Sequence, residues 1–304
     1  MVGFSGGRDS LALLSVLHEI QPTFKFHLAA CHVNHRLSPH AMEWQDFCQR
    51  YCNGIDVPLT IAEVDVPRAT PDGLESAARA ARYAAFASID ADWLVLGQHR
   101  EDQAETLLFN LLRGTGLQGA AGMPETRLIR PGLRLMRPLL SIAREDVDDY
   151  LRSRSFDWID DESNDDVRFS RNFLRHRVMP LLRSRFPAAA ATLSGAAQRF
   201  NEARNLLDDL ALLDMAEVPA SFPMPLSCLE NLSEPRGRNL LRFMLTRHGV
   251  RIPSEARLGE ILRQLLTARV DRHPAVVFGE WKIYRKRDAV HLKKNLANEC
   301  QEPR

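Results

Sequence analysis

The chain has 304 residues, 45% apolar and 26% charged, the composition of a soluble globular protein and too much chain for one compact domain. Net charge is +1 and the isoelectric point about 7.8, so any nucleic-acid surface has to come from local clustering rather than overall charge. No apolar run approaches bilayer-spanning length and no secretory pattern opens the chain, which argues against membrane classes and for the cytoplasm.

In chain order, Met1–Phe4 reads as a short apolar strand, Ser5-Gly6-Gly7-Arg8-Asp9-Ser10 as a tight turn and Leu11–Ile20 as a helix. Phe26–Val33 reads as a buried strand, Ser38–Asn53 as a helix, Pro58–Val66 as a strand, Gly73–Ser88 as a helix, Trp93–Gly97 as a strand and Glu101–Arg113 as a helix. This alternation predicts an α/β fold, a doubly wound and mostly parallel sheet of Rossmann-like type, with ligands at the carboxyl ends of the strands. A hairpin is expected around Pro131-Gly132 and helices from Ile142 onward. Pro187–Asp214 reads as a long helix with Leu193, Ala197, Phe200, Leu206, Leu210 and Leu213 on its apolar faces. The proline-rich stretch Val218–Pro225 reads as a linker. Glu234–Gly249 and Ser254–Ala268 then read as helices, and Ala275–Leu292 as short strands turning at Arg287-Asp288. The expected organisation is a catalytic domain over 1–185, a helical connector over 186–217 and a small α+β domain over 218–304.

The turn after the first strand carries the most chemistry. Glycines let a phosphate approach the backbone, Ser5 and Ser10 offer hydroxyl donors, and a helix N-terminus follows at once. Asp9 only accepts, so it suits a magnesium ion or a neighbouring N–H. The bland alternative is an ordinary strand-to-helix turn with Asp9 or Ser10 as a cap. His32, Asn34 and His35 end the second strand, close enough to the turn to touch a nucleotide. Asp102 and Glu105 share one helix face, as a pair for a cationic substrate or as acids favoured by the dipole. Arg79, Arg82 and Tyr83 lie on an otherwise alanine-lined helix, as solvated charges or phosphate contacts. Arg168, Arg171, Arg175, Arg177, Arg183 and Arg185 follow the acidic turn Asp157–Asp166 with no acid among them, a stretch fit for phosphate or an RNA backbone. The five cysteines, Cys31, Cys48, Cys52, Cys228 and Cys300, match neither a disulfide framework nor a CxxC pair and read as small hydrophobes.

SGGRDS resembles the SGGxDS signature of PP-loop ATP pyrophosphatases, and it lacks the lysine of the GxxxxGK[ST] loop. With HVNHRL, ESAARAARY, GQHREDQAET, LLRGTGLQGAAGM, RPLL and DDESNDDVRFSRNFLRHRVMPLL it forms an ordered set of seven blocks over roughly the first 185 residues. This set resembles the tRNA(Ile)-lysidine synthetase family. The resemblance implies a ligase that uses ATP and Mg2+ to adenylate the C2 carbonyl of the wobble cytidine in an isoleucine tRNA of CAU anticodon. L-lysine then displaces AMP. It implies ATP contacts at Ser5, Gly6, Gly7, Arg8, Asp9, Ser10, His32, Asn34, Gly97 and His99. It implies magnesium at Asp9, lysine at Asp102 and Glu105, and phosphate or tRNA at Arg79, Arg113, Arg171 and Arg175. It implies that residues 1–185 bind ATP and that the small domain over 218–304 recognises the tRNA, and a homodimer is compatible with it.

Two departures stand out. The family usually has more chain ahead of the turn, so the start is expected to be truncated, and Arg36 and Ser38 replace a glycine and an arginine of the HxxHGLR block. Some members also carry a further C-terminal module, for which the sequence beyond Val218–Leu292 is too short. The rivals are a PP-loop tRNA thiolase, for which no cysteine is suitably paired, and a non-catalytic nucleotide- or tRNA-binding protein, which would be expected to have lost Asp9 or Asp102. A GMP or argininosuccinate synthetase is disfavoured because the resemblance continues through the arginine-rich block.

Overall fold

A computed structural model describes residues 1–67, 73–267 and 274–295; the end of the expected helix at Ala268, and Cys300, lie outside the described residues. In the first part of the chain β1 (Val2–Gly3), α1 (Arg8–Phe24), β2 (Ala30–Asn34), α2 (Ala41–Gly54), β3 (Leu59–Glu63), α3 (Leu74–Ser88), β4 (Trp93–Val95) and α4 (Arg100–Leu112) follow the predicted alternation. A short α5 (Leu117–Ala120) precedes the hairpin β5 (Thr126–Arg130) and β6 (Leu133–Met136), whose turn falls at Pro131-Gly132 as expected.

These strands form one sheet in the order β3-β2-β1-β4-β6-β5, parallel except for the edge strand β5. The chain winds outward from β1 in one direction through β2 and β3 and then restarts beside β1 with β4. The carboxyl ends of β1 and β4 therefore flank the switch point where such sheets hold ligands. Val2, Phe4, Leu11, Leu14 and Ala30 are buried where α1 meets the sheet, each large side chain contributing roughly 1.5–3 kcal/mol by leaving water.

Beyond the sheet run α6 (Arg144–Ser153), a 3₁₀ turn (Glu162–Asp165), α7 (Ser170–Phe173), a π-helical turn (Leu174–Val178), α8 (Met179–Arg185) and the 27-residue α9 (Ala189–Met215). Two compact units, Met1–Asn201 and Glu202–Arg304, divide the chain inside α9. In the first unit Leu193, Ala197 and Phe200 pack with Leu107 and Ala120. In the second, Ala211 and Met215 are the buried positions of α9, whereas Leu206 and Leu213, read from the sequence as part of an apolar face, are exposed.

The second unit contains β7 (Met224–Pro225), α10 (Ser227–Glu230), α11 (Glu234–Arg247), α12 (Glu255–Thr267), β8 (Ala275–Phe278), β9 (Trp281–Lys286) and β10 (Ala289–Lys294). Its antiparallel sheet runs β7-β10-β9-β8. The Val218–Pro225 stretch is not a linker: Val218, Ala220 and Phe222 pack on the core, Met224 is fully buried and β7 pairs with β10. Pro225 fits because β7 is an edge strand, where a missing N–H costs no ladder bond. Among the described residues no helix is long and apolar enough to cross a membrane.

Candidate active site

The turn after β1 is shaped by its glycines and serines. Gly6 has φ +79°, and a Cβ there would lie 2.4 Å from Ile159 Cδ1. The Ile159 N–H donates to the Gly6 carbonyl at 3.0 Å, so the segment after α6 lies along the turn. Ser10 Oγ accepts from the Ser5 N–H and donates to the Gly7 carbonyl, closing the turn from inside. No side chain caps the N-terminus of α1. Its first N–H groups, which a helix cannot satisfy internally, are thus left for an anion.

β4 delivers the second half of the site. A Cβ on Gly97 would stand 2.6 Å from the Asp9 carbonyl oxygen and 2.8 Å from its carbon, so only glycine lets the two strand ends come this close. Because the obstructing atoms are backbone, Gly97→Ala must displace the turn. We expect a KM for ATP raised at least about tenfold and a lower unfolding midpoint, since overpacking costs about 1–3 kcal/mol. ATP titration and thermal unfolding of the variant check this.

His99 caps α4: its Nδ1 lies 3.2 Å from the Glu101 backbone nitrogen, whose N–H it accepts when neutral, and 3.2 Å from Glu101 Oε2, to which it donates when protonated. Its Nε2 then faces Asp9 at 3.8 Å and Asp102 at 3.5 Å. Burial lowers the His99 pKa, but its hydrogen bond to Glu101 and the charges of Asp102, Asp9 and Glu101 raise it on balance. Glu101, missed in the sequence, is a hub: it accepts from the Arg144 N–H at 2.9 Å and lies 3.4 Å from Arg183. Burial raises its carboxyl pKa, yet hydrogen bonds from His99 and the backbone hold it at about 2.

The signs set a pH window. Glu101 contributes stability above its ordinary 4.5 and loses it as pH falls toward 2, while His99 contributes fully below 6.5 and loses it as pH rises through its elevated folded value. Wild type should therefore exceed a Glu101→Gln/His99→Gln variant in denaturant midpoint most between pH 4.5 and 6.5. Midpoints measured across pH check it.

Asp9 Oδ1 is buried and accepts no hydrogen bond. Burial and the nearby Asp102 raise its pKa, against the pull of His99, Arg144 and Arg8. An orphaned carboxylate oxygen at a phosphate-binding turn fits magnesium, which takes one or two carboxylates and completes its shell from phosphates and water. Among the described residues no cluster of three His, Cys, Asp or Glu could hold a metal ion by itself.

Asp102 and Glu105 do share a face of α4, and both close on Arg175. Its Nη2 donates to Asp102 at 2.7 Å and Glu105 at 2.9 Å, and its Nε donates to Glu105 at 3.0 Å. Burial lowers the Arg175 pKa, but Glu105, Asp102 and Asp9 raise it well above its ordinary value. The π-helical turn carries Arg175; such turns insert an extra residue and re-aim side chains. Asp102 Oδ2 also accepts the His99 N–H at 3.0 Å, so the residue both caps α4 and holds a cation.

The remaining predicted residues divide. Arg171 also turns onto α4, donating to Thr106 at 3.2 Å. Arg8 is tied to Asp148 at 3.0 Å and lies over Trp158. His32 Nδ1 lies 3.0 Å from the Phe4 carbonyl, and Asn34 is buried, bonded to Gln45 and to the Arg36 N–H. Arg113 caps the far end of α4 over Phe109, about 20 Å from His99 at 1.5 Å per residue, and is not brought to the turn. Arg79 and Arg127 lie over the Tyr83 ring at 5.1 and 4.9 Å. Arg137, fully buried, donates to Gln98 Oε1, to the Pro124 carbonyl and to the Tyr83 hydroxyl. In the sequence Arg137 stands out only as one arginine closing an apolar strand, within RPLL. Gln103 exchanges two hydrogen bonds with the Met123 backbone, pinning the glycine-rich stretch to α4.

A parallel sheet with an uncapped helix at its switch point, a glycine turn and an orphaned carboxylate beside it defines a nucleotide-binding α/β domain of the PP-loop class. Residues 1–182 match the PP-loop domain family, and residues 224–291 match the TilS substrate binding domain. The tRNA(Ile)-lysidine synthase of Azoarcus sp. (strain BH72) is 48% identical over 269 residues, covering 87% of this chain and 59% of that protein. That of Nitrosomonas europaea is 42% identical over 274 residues, covering 90% and 60%, and that of Legionella pneumophila (strain Lens) 37% over 297, covering 97% and 68%. The chain belongs to the tRNA(Ile)-lysidine synthase family. It spans about three fifths of the length of the Azoarcus and Nitrosomonas relatives. A solved U34-tRNA thiolase, NcsA from Methanococcus maripaludis with its [4Fe-4S] cluster, shares the fold at TM-score 0.52 and 16% identity, covering 66% of this chain and 71% of that one.

Proposed function

We propose that the protein adenylates the C2 carbonyl oxygen of the wobble cytidine in an isoleucine tRNA of CAU anticodon and then joins L-lysine at C2, acting in the cytoplasm. The observation that carries this reading is a cation slot beside a phosphate turn. The Asp102–Glu105 pair encloses a guanidinium, and Asp102 is linked through His99 to Asp9.

In the first step the carbonyl oxygen attacks the α-phosphorus of ATP and pyrophosphate leaves. The α1 N-terminus and the Ser5 hydroxyl stabilise the charge that accumulates on it, while Ser10 holds the turn in place around them. Asp9 would hold magnesium, which when bound neutralises phosphate charge and makes pyrophosphate a better leaving group. Arg79, in the guanidinium cluster around Tyr83, is a second phosphate contact. In the second step the lysine ε-amine attacks C2 and AMP departs. An amine of ordinary pKa near 10.4 arrives as an ammonium and must lose a proton first. Asp102 and Glu105 supply both the electrostatic seat and the acceptor, the ammonium taking the place now held by Arg175.

Sulfur transfer is less well supported. Burial pushes the Cys31 and Cys52 thiols up to about 11 and Cys48 further, so these three are poor sources of a thiolate. Incubation with ATP, lysine and the CAU-anticodon tRNA, followed by nucleoside mass analysis, tests the proposal. A cytidine that gains no lysine refutes it.

A further inference from the structure

Arg8 is the first residue of α1. A cation in the first turn of a helix opposes the dipole, so its charge calls for an anion nearby. A phosphate would serve, and the resemblance implies an ATP contact here. The structure gives Arg8 other partners. Its Nη1 donates to both carboxylate oxygens of Asp148 on α6 at 3.0 and 3.1 Å, its Nη2 lies 3.7 Å from Asp160, and its guanidinium stands 5.4 Å over the Trp158 ring. Nε makes no hydrogen bond, so the Nη groups and the flat face of the guanidinium form the grip.

What Arg8 grips lies against the phosphate turn. Trp158 and Asp160 flank Ile159, whose N–H donates to the Gly6 carbonyl at 3.0 Å and which pairs with Gly7 as a single parallel bridge. Trp158 and Phe156 pack on the core that also holds Phe4 and Leu11. α6 is tied to α1 a second time, by the 2.8 Å contact of Tyr150 with Ser15. Residues 158–160 therefore lie along the turn like one more strand, but one backbone bridge holds such a piece weakly. The Arg8 side chain supplies the rest from within the turn.

We infer that Arg8 and Asp148 are a positioning pair for the nucleotide turn, acting through Trp158, Ile159 and Asp160 on Gly6 and Gly7. This rests on the proposed use of ATP. Arg8 then touches no phosphate: it fixes the backbone that receives the phosphate, and a slightly displaced turn lowers the rate without removing a ligand.

The experiment compares Arg8→Gln, Asp148→Asn, the double variant and Asp148→Glu in ATP-dependent pyrophosphate release with the CAU-anticodon tRNA, well below their unfolding midpoints. Both single variants should lose about 2- to 30-fold in kcat with the KM for ATP changed less, the range for residues coupled to a site whose ligand they do not touch. The double variant should be no worse than the worse single one, because the same contact is broken twice. Asp148→Glu, which keeps the carboxylate, should recover most of the rate. Amide exchange at Ile159 should quicken in both single variants, a readout that needs no turnover. A raised KM for ATP in Arg8→Gln with normal kinetics in Asp148→Asn would make Arg8 a phosphate ligand and overturn the inference. Wild-type rates in both would reduce the pair to a stabilising contact and overturn it too. A wild type that releases no pyrophosphate with this tRNA would remove the proposed function, and exchange at Ile159 would still decide the pair, unchanged protection in the variants overturning it.

Discussion

Asp9→Ala should reduce ATP-dependent pyrophosphate release by about 10²–10³-fold, the usual cost of removing one preorganised electrostatic group from a reacting site. The loss should not come from unfolding. Asp9 has a folded pKa raised by burial and by Asp102, so its contribution to stability is present below its unfolded pKa and lost as pH rises through the folded one. At neutral pH the ionised carboxylate opposes folding. Asp9→Asn is accordingly expected to unfold at the same or a slightly higher temperature than wild type at pH 7, with the gain fading in acid. On the proposed reading, the orphaned Oδ1 is a group kept for a ligand at some cost to stability. Pyrophosphate assays and melting curves on the two variants decide it, and wild-type turnover in Asp9→Ala would remove the carboxylate from the chemistry.

Asp102→Asn should separate the two half-reactions. The amide oxygen still accepts the His99 N–H, so the cap on α4 persists, but the charge facing Arg175 at 2.7 Å is gone. Adenylation, which needs ATP and the carbonyl oxygen, is expected to continue. Attack by lysine should fall at least about 10²-fold, as for loss of a positioned base, with a raised KM for lysine. Equal loss of both steps would place Asp102 with the nucleotide; unchanged lysidine formation at subsaturating lysine would leave it a capping residue. Arg175→Ala supplies the complementary reading. If Arg175 were a phosphate contact for tRNA, its loss would flatten the salt slope by about 0.7 to 0.9. Since its guanidinium is occupied by Asp102 and Glu105, we expect an unchanged slope and an altered lysine KM.

The sequence by itself determined the elements, their order and the placement of the phosphate turn. The SGGRDS string between an apolar strand and a leucine-rich helix is a local pattern, and so are the β-α alternation and the Pro131-Gly132 hairpin. Each depends on residues within a few positions of one another, which periodicity and turn chemistry report directly. The face shared by Asp102 and Glu105 was legible for the same reason.

The tertiary structure decided what the charged residues do. Arg175 meets Asp102 across 73 positions, and nothing in its spacing among the other arginines tells that a π-helical turn aims it at α4. Glu101 looked like an ordinary first-turn acid until α6 and α8 brought Arg144 and Arg183 to it. In the second unit the proline-rich stretch looked like a linker because composition reports local stiffness, whereas its burial depends on a pairing with β10 more than sixty residues on. Local sequence sets backbone preference over a few residues, but the partner of a long side chain is set by which distant elements fold against it.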